Sequence, residues 1–254
     1  MTALYPDLAR KVAVVTGGSK GLGAGTCRYL AANGMKVAAV GRDEVALKKV
    51  VEGIRATGGT AIGVVTDCTD ADALAGLRDR VERELDEVDV LAVFAGGDGL
   101  PRPTVDLTPQ RWREVIENDL TSAFLTIHTF LPAMVERGRG SIITMSSSAG
   151  RQPSRANAAY AAAKGGVGML TRHLANEVAG YGVRVNCLAP SAVRNERMAS
   201  AMTPEQVDQL GASFPLRRIG TPDDVAAATA FLASQESSWI TGATLDISGG
   251  KVIL

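Results

Sequence analysis

The sequence predicts an α/β fold, a doubly wound parallel sheet of about seven strands with helices on both faces, in a single domain spanning residues 1–254. Two observations carry this. Short apolar runs rich in Val, Ile and Ala recur along the chain, and stretches with helical spacing lie between successive runs. The runs are apolar along their length instead of at alternate positions, which is the pattern of strands covered on both faces.

The elements follow in order. The strand runs are "KVAVVT" (11–16), "KVAAVG" (36–41), "TAIGVV" (60–65), "VDVLAVF" (88–94), "GSIITMS" (140–146), "VRVNCLA" (183–189) and "ATLDIS" (243–248). Between them, Leu74, Leu77, Val81 and Leu85 keep helical spacing, and "RDEVAL" reads as a helix start with Asp43 as N-cap. A helix from Asn157 to Ala179 is rich in Ala and Gly, so its small side chains permit close packing. The connection from Ala189 to about Thr221 is long and contains "MTPEQVDQLGASFP", a short helical insertion expected near the site. No linker, repeat or compositional break divides the chain.

Composition narrows the function classes. The 27 basic and 27 acidic residues give a net charge of zero, which argues against a nucleic-acid or anionic-membrane surface. Cys27, Cys68 and Cys187 have no C-x-x-C spacing and read as free thiols in a reducing cytoplasm. The N-terminus lacks the apolar core of a signal peptide, and no run reaches the ~18 apolar residues of a membrane span. A cytoplasmic protein is therefore expected. His128 and His173 fall in helical patterns, and no metal-ligand spacing occurs.

"VVTGGSKGLGAGT" (14–26) sets five glycines between the first strand and the next helix. Glycine admits positive φ and close approach of a pyrophosphate, and a helix N-terminus attracts its charge. The familiar G-x-G-x-x-G template fails, because Thr26 stands where its third glycine belongs. At the end of the second strand an acid selects NAD, and a basic group accommodates the extra phosphate of NADP. With Asp43 assigned to a helix cap, Arg42 and Lys20 would flank that phosphate. NADP(H) is therefore the expected cofactor, with NAD(H) as the alternative.

Tyr160 and Lys164 stand at i and i+4, on one helix face. A free phenol titrates near ~10, and an adjacent ammonium favours the phenolate, which brings acid–base chemistry within reach at neutral pH. Here the chain resembles the short-chain dehydrogenase/reductase family over essentially its whole length. The resemblance rests on Thr16-Gly17-x-x-x-Gly21-x-Gly23, Asp67, Ala95-Gly96, Asn118, Ser147, Tyr160-x-x-x-Lys164, and Asn186 with Pro190.

It implies a Rossmann-type fold and reversible hydride transfer between a nicotinamide and a ketone or secondary alcohol. Carried over, Tyr160 exchanges the proton with the substrate oxygen and Ser147, ahead of Ser146 and Ser148, orients that oxygen. Lys164 bonds the nicotinamide ribose, and Asn118 holds a water that links Lys164 to solvent. Cofactor contacts are implied for Gly17, Ser19, Lys20, Gly21, Leu22, Gly23, Arg42, Asp67, Cys68, Ala95, Gly96, Tyr160, Lys164, Pro190, Ser191 and Val193, with Asp67 and Cys68 bordering the adenine.

The family's Asn-Asn-Ala-Gly reads Val93-Phe94-Ala95-Gly96, expected as a packing substitution. Its Pro-Gly reads Pro190-Ser191, and its threonine is Asn195, which could bond a carboxamide. In the family the Asn157–Ala179 helix and the helix around 110–137 form a subunit interface, so a homodimer or homotetramer is implied. The C-terminal region resembles the β-ketoacyl-acyl-carrier-protein reductase-like branch. Arg151, Arg155, Arg194 and Arg197 lie in segments near the expected pocket, either as solvated loop charges or as contacts to a polar or anionic substrate. The alternatives are an NAD-dependent secondary-alcohol or sugar dehydrogenase, or a non-catalytic dinucleotide sensor.

Overall fold

The computed structural model describes residues 4–253, with the side chains at 197, 199 and 201 outside the description. Seven strands form one parallel sheet: β1 (Val12–Thr16), β2 (Lys36–Gly41), β3 (Thr60–Val65), β4 (Val88–Val93), β5 (Gly140–Met145), β6 (Val183–Pro190) and β7 (Thr244–Ile247). Each coincides with one of the seven apolar runs. The spatial order is β3-β2-β1-β4-β5-β6-β7, so the direction of winding reverses between β1 and β4. In open α/β sheets ligands bind beyond the carboxyl ends of the strands at this reversal.

Nine α-helices are described: α1 (Gly21–Ala32), α2 (Glu44–Ala56), α3 (Ala71–Glu84), α4 (Pro109–Ile116), α5 (Ser122–Glu136), α6 (Ala158–Val178), α7 (Glu196–Ala201), α8 (Pro204–Ala212) and α9 (Pro222–Ala233). Alternate strand residues feed two cores. Ala13, Val15, Val37 and Ala39 meet side chains of α1, α2 and α9, whereas Val12, Val14, Ala38 and Val40 share the opposite core with α3, α5 and α6. This explains the continuous apolar runs, since both faces of each central strand are covered. The long connection after β6 holds α7 and α8, where the sequence predicted a helical insertion.

Candidate active site

β1 ends at Thr16 and α1 begins at Gly21, so Gly17, Ser19 and Lys20 make the turn while Gly21, Leu22 and Gly23 open the helix. Gly17 has φ +67°, and a Cβ there would lie 2.7 Å from the Phe94 carbonyl oxygen, so glycine is required for the turn to pass the tip of β4. Lys20, the N-cap of α1, makes no side-chain capping bond. By contrast, α2, α3, α4, α6, α7, α8 and α9 are each capped by a side chain. The first amides of α1 therefore point outward, beside a glycine turn, as a cradle that suits a pyrophosphate.

Thr16 ties this turn to the neighbouring strand tip. Its hydroxyl accepts from Phe94 N at 2.9 Å and Ala95 N at 3.1 Å. Val93 and Phe94 are buried in the two cores, so they replace polar bracing by packing, and Thr16 supplies the polar link.

At the tip of β2, Asp43 caps α2 by accepting from Ala46 N at 3.0 Å. Its other oxygen meets Lys20 Nζ at 2.6 Å. This hydrogen bond holds the Lys20 ammonium above its usual pKa and the Asp43 carboxyl below its own. Lys20 is thus engaged by Asp43 and does not stand free beside Arg42, as the sequence had suggested. The Arg42 side chain is 71% exposed and lies 3.8 Å from Asp67 Oδ2. Asp67 accepts from Thr69 N at 3.0 Å and Thr69 Oγ1 at 2.8 Å, and these bonds lower its carboxyl pKa. Cys68 turns its thiol into the core, where burial raises it to about 11, so any adenine contact from this residue comes from its backbone.

Asn157 caps α6 by accepting from Tyr160 N at 2.9 Å, and its amide donates to Asp98 O at 2.9 Å and Leu100 O at 3.1 Å. One side chain thereby fixes both the first turn of α6 and the loop after β4. That loop runs against the Tyr160 ring at Gly99, where a Cβ would lie 2.9 Å from Cε1. Lys164, one turn on, places Nζ 5.6 Å from the centroid of the Tyr160 ring and donates to Met145 O at 3.0 Å. Ser146 is buried and donates to Lys164 O at 2.7 Å, and Ser148 faces the Ser191 hydroxyl at 3.4 Å. Ser147 is half-buried at the head of a short turn, accepting from Ala149 N at 3.2 Å.

The residue that meets Lys164 is Asp119, next to Asn118, to which the family resemblance assigns a water linking Lys164 to solvent. Between α4 and α5 the chain makes a π-helical turn over Glu117–Thr121. Each turn there holds more residues than an α-turn, which moves the inward position along the chain. Asn118 instead donates its amide to Glu114 O at 2.7 Å. Asp119, buried, accepts from Gly97 N at 2.7 Å and pairs with Lys164 Nζ at 3.0 Å. Burial pushes the Lys164 pKa down, and Asp119 outweighs it with help from Tyr160, so the ammonium is held above its usual value.

On the far side of the cleft, Pro190 ends β6 and Ser191 N donates to Ile247 O at 3.1 Å. Val193 is buried and pairs with Gly220. Asn195 caps α7 through Met198 N at 2.9 Å and donates to Val193 O at 3.0 Å, so local bonds occupy the group expected to reach a carboxamide. Arg151 is not free for a substrate, because it holds Asp246 of β7 through two bonds of 3.2 Å. Arg155 and Arg194 are exposed, and the Arg197 side chain lies outside the described residues.

A family model described as Enoyl-(Acyl carrier protein) reductase matches residues 17–251. The chain belongs to the short-chain dehydrogenase/reductase family. It is 38% identical over 246 residues to cis-4-hydroxycyclohexanecarboxylate dehydrogenase of Sinomonas cyclohexanicum, covering 95% of this chain and 96% of that one. The crystal structure of a 3-oxoacyl-[acyl-carrier protein] reductase from Brucella melitensis with bound NAD superimposes with a TM-score of 0.89 at 29% identity, covering 99% and 94% of the two chains. A structure from Beutenbergia cavernae holding NADP at low occupancy gives a TM-score of 0.88 at 37% identity, covering 96% and 97%.

This short-chain dehydrogenase/reductase is thus a nucleotide-dependent oxidoreductase acting on CH–OH groups, not a sensor. Sequence reasoning missed two residues of its cleft, Asp119 and Asn157. The first was hidden by the π-turn. The second carried a signal, an N-cap three residues before Tyr160, that was read for helix position alone. Among the described residues no cluster suited to a metal occurs, and no helix is long and apolar enough to cross a membrane.

Proposed function

We propose that this enzyme is an NADP(H)-preferring carbonyl reductase in which Tyr160 passes a proton to the substrate oxygen, Ser147 orients that oxygen, and Lys164 bonds the nicotinamide ribose. The reading rests on one observation: Tyr160 and a buried Lys164 ammonium share one face of α6, with the ammonium 5.6 Å from the phenol ring. A phenol fixed one helical turn from a buried ammonium is positioned to pass a proton to a substrate oxygen. The α1 amides and Gly17–Gly23 would hold the pyrophosphate, with Asp67 and the Cys68 backbone beside the adenine and Ala95, Gly96, Pro190, Ser191 and Val193 along the remainder. When bound, the nicotinamide supplies the hydride.

The preference for NADP(H) is supported by the tip of β2. Asp43 is occupied by Lys20 and by the start of α2, which leaves no free carboxylate in that residue for the ribose hydroxyls, and Arg42 is open to solvent. As first substrate we take a β-ketoacyl thioester. A cyclic secondary alcohol is the second reading, favoured by the 38% identity to cis-4-hydroxycyclohexanecarboxylate dehydrogenase. A panel of acetoacetyl thioesters, cyclic ketones and sugars, followed by NADPH consumption, separates them.

Tyr160→Phe tests the core of the reading. Turnover should fall about 10²–10⁴-fold, the usual contribution of a positioned acid–base group, while NADPH binding stays near wild type. Retained turnover refutes the assignment. The exposed Trp112, Phe124 and Met169 on α4, α5 and α6 support a homodimer or homotetramer built on that face, which light scattering reads. The three buried thiols accord with a reducing, cytoplasmic setting.

A further inference from the structure

Asp119 is a carboxylate at the centre of the cleft to which the reading above gives no part. It is 0% exposed and Lys164 is 3% exposed, and the two are 3.0 Å apart. Asp119 Oδ1 also takes the Gly97 amide, and Oδ2 is buried with no hydrogen-bond partner in the protein. Lys164 is the only cation paired with it among the described residues. The titratable groups around the pair are few. Tyr160 lies on the same helix as Lys164, and on β6 the Cys187 thiol is raised by burial. In the loop after β4, Asp98 is held by Arg111 of α4, which also binds Glu114. Thr144 and Met145 of β5, and Ser146 just after it, touch this region and carry no ionisable group.

We propose that Asp119 sets the pH at which the Tyr160–Lys164 pair releases its first proton, and with it the pH range over which alcohol oxidation proceeds. The inference rests on the reading of Tyr160 as the proton-exchanging group. With Asp119 ionised, losing that proton takes the three side chains, Asp119, Lys164 and Tyr160, from neutral to a net charge of −1. With an uncharged residue there, the same loss takes them from +1 to neutral. Coulomb interaction and desolvation both make the second step easier, whichever of Tyr160 and Lys164 gives up the proton. Asp119 therefore keeps the pair protonated to higher pH. The protonated pair is the form that delivers H⁺ to a carbonyl oxygen as hydride reaches its carbon. Alcohol oxidation needs the opposite form, because the substrate O–H proton must pass to the pair as hydride leaves.

The test is the pH dependence of kcat/KM for oxidation of the best secondary alcohol of the panel with NADP⁺, for wild type, Asp119→Asn and Asp119→Glu. The midpoint should fall by about 1–3 pH units in Asp119→Asn, the range for a charge at this distance, and stay near wild type in Asp119→Glu, which keeps the charge. If Asp119→Asn does not fold, Asp119→Ala must show the same fall. An unmoved or raised midpoint overturns the proposal. Tyr160→Phe in the same assay separates the two failures. Retained turnover there refutes the role of Tyr160, whereas lost turnover with an unmoved Asp119→Asn midpoint refutes the role of Asp119 alone.

Discussion

Asn157→Ala should loosen α6 and the loop that faces it together. The side chain is 5% exposed and makes three bonds: it accepts from Tyr160 N and donates to the carbonyls of Asp98 and Leu100. Losing an N-cap costs about 1 kcal/mol. Each lost amide-to-carbonyl bond adds about 1 kcal/mol, because the carbonyl is left without its donor. The total of about 3 kcal/mol corresponds to a fall in Tm of about 6–12 °C for a chain of this size. Asn157→Ser keeps the cap and loses the two donated bonds, so it should fall about two-thirds as far. Because the first turn of α6 carries Tyr160, kcat should also drop, by about 10-fold or more, as misplacement of a reacting group implies. Thermal unfolding followed by circular dichroism, with steady-state rates on the same samples, reads both effects. A Tm for Asn157→Ala within about 1 °C of wild type would refute the reasoning, because three buried bonds cannot vanish without a stability change of that order.

Arg42→Ala should lower the ratio of kcat/KM with NADPH to that with NADH by about 10-fold, since one charge-assisted phosphate contact is worth about 1.5–3 kcal/mol before solvent screening; an unchanged ratio removes Arg42 from cofactor selection. Asp224 completes the capping box of α9 with Thr221 and is held by Arg218 at 2.7 and 2.8 Å; the arginine bonds and those from Thr221 outweigh burial, which pushes the other way, and bring its carboxyl to about 2. A depressed folded-state pKa gives stability that is present above about pH 4 and lost as pH falls toward 2. Asp224→Asn should therefore cost about 1 kcal/mol at neutral pH, after discounting for the half-exposed arginine, and the difference should narrow through that acid window. Urea unfolding at several pH values checks this, and a difference that does not change with pH would contradict it.

How far the fold could be read from the chain depended on what each pattern reports. All seven strands were legible because burial on both faces makes a central parallel strand apolar throughout, a signal that needs no tertiary information. Helix α6 and the capping role of Asp43 were legible because caps act within a few residues. That Tyr160 and Lys164 share one face of α6 followed from the i, i+4 rule, whereas their roles came from the family resemblance. The Asp119–Lys164 pair was not legible, because it depends on how the π-turn packs against α6. The partner of Arg151, Asp246, lies 95 residues along the chain, so that pairing comes from folding that spacing does not encode. A cation read one residue at a time looks free until its counter-charge is found, as with Lys20 and Asp43.

The Thr16 hydroxyl gives the molecule a stiff spine. Through Phe94 and Ala95 it grips the tip of β4, two residues on Gly97 grips Asp119, and Asp119 grips Lys164, so nucleotide and chemistry ends share one hydrogen-bonded frame. Accommodation of differently shaped reactants must then be met elsewhere, in the strap of α7 and α8 that hangs outside this frame. New specificities can arise by rebuilding that strap while the frame is inherited unchanged.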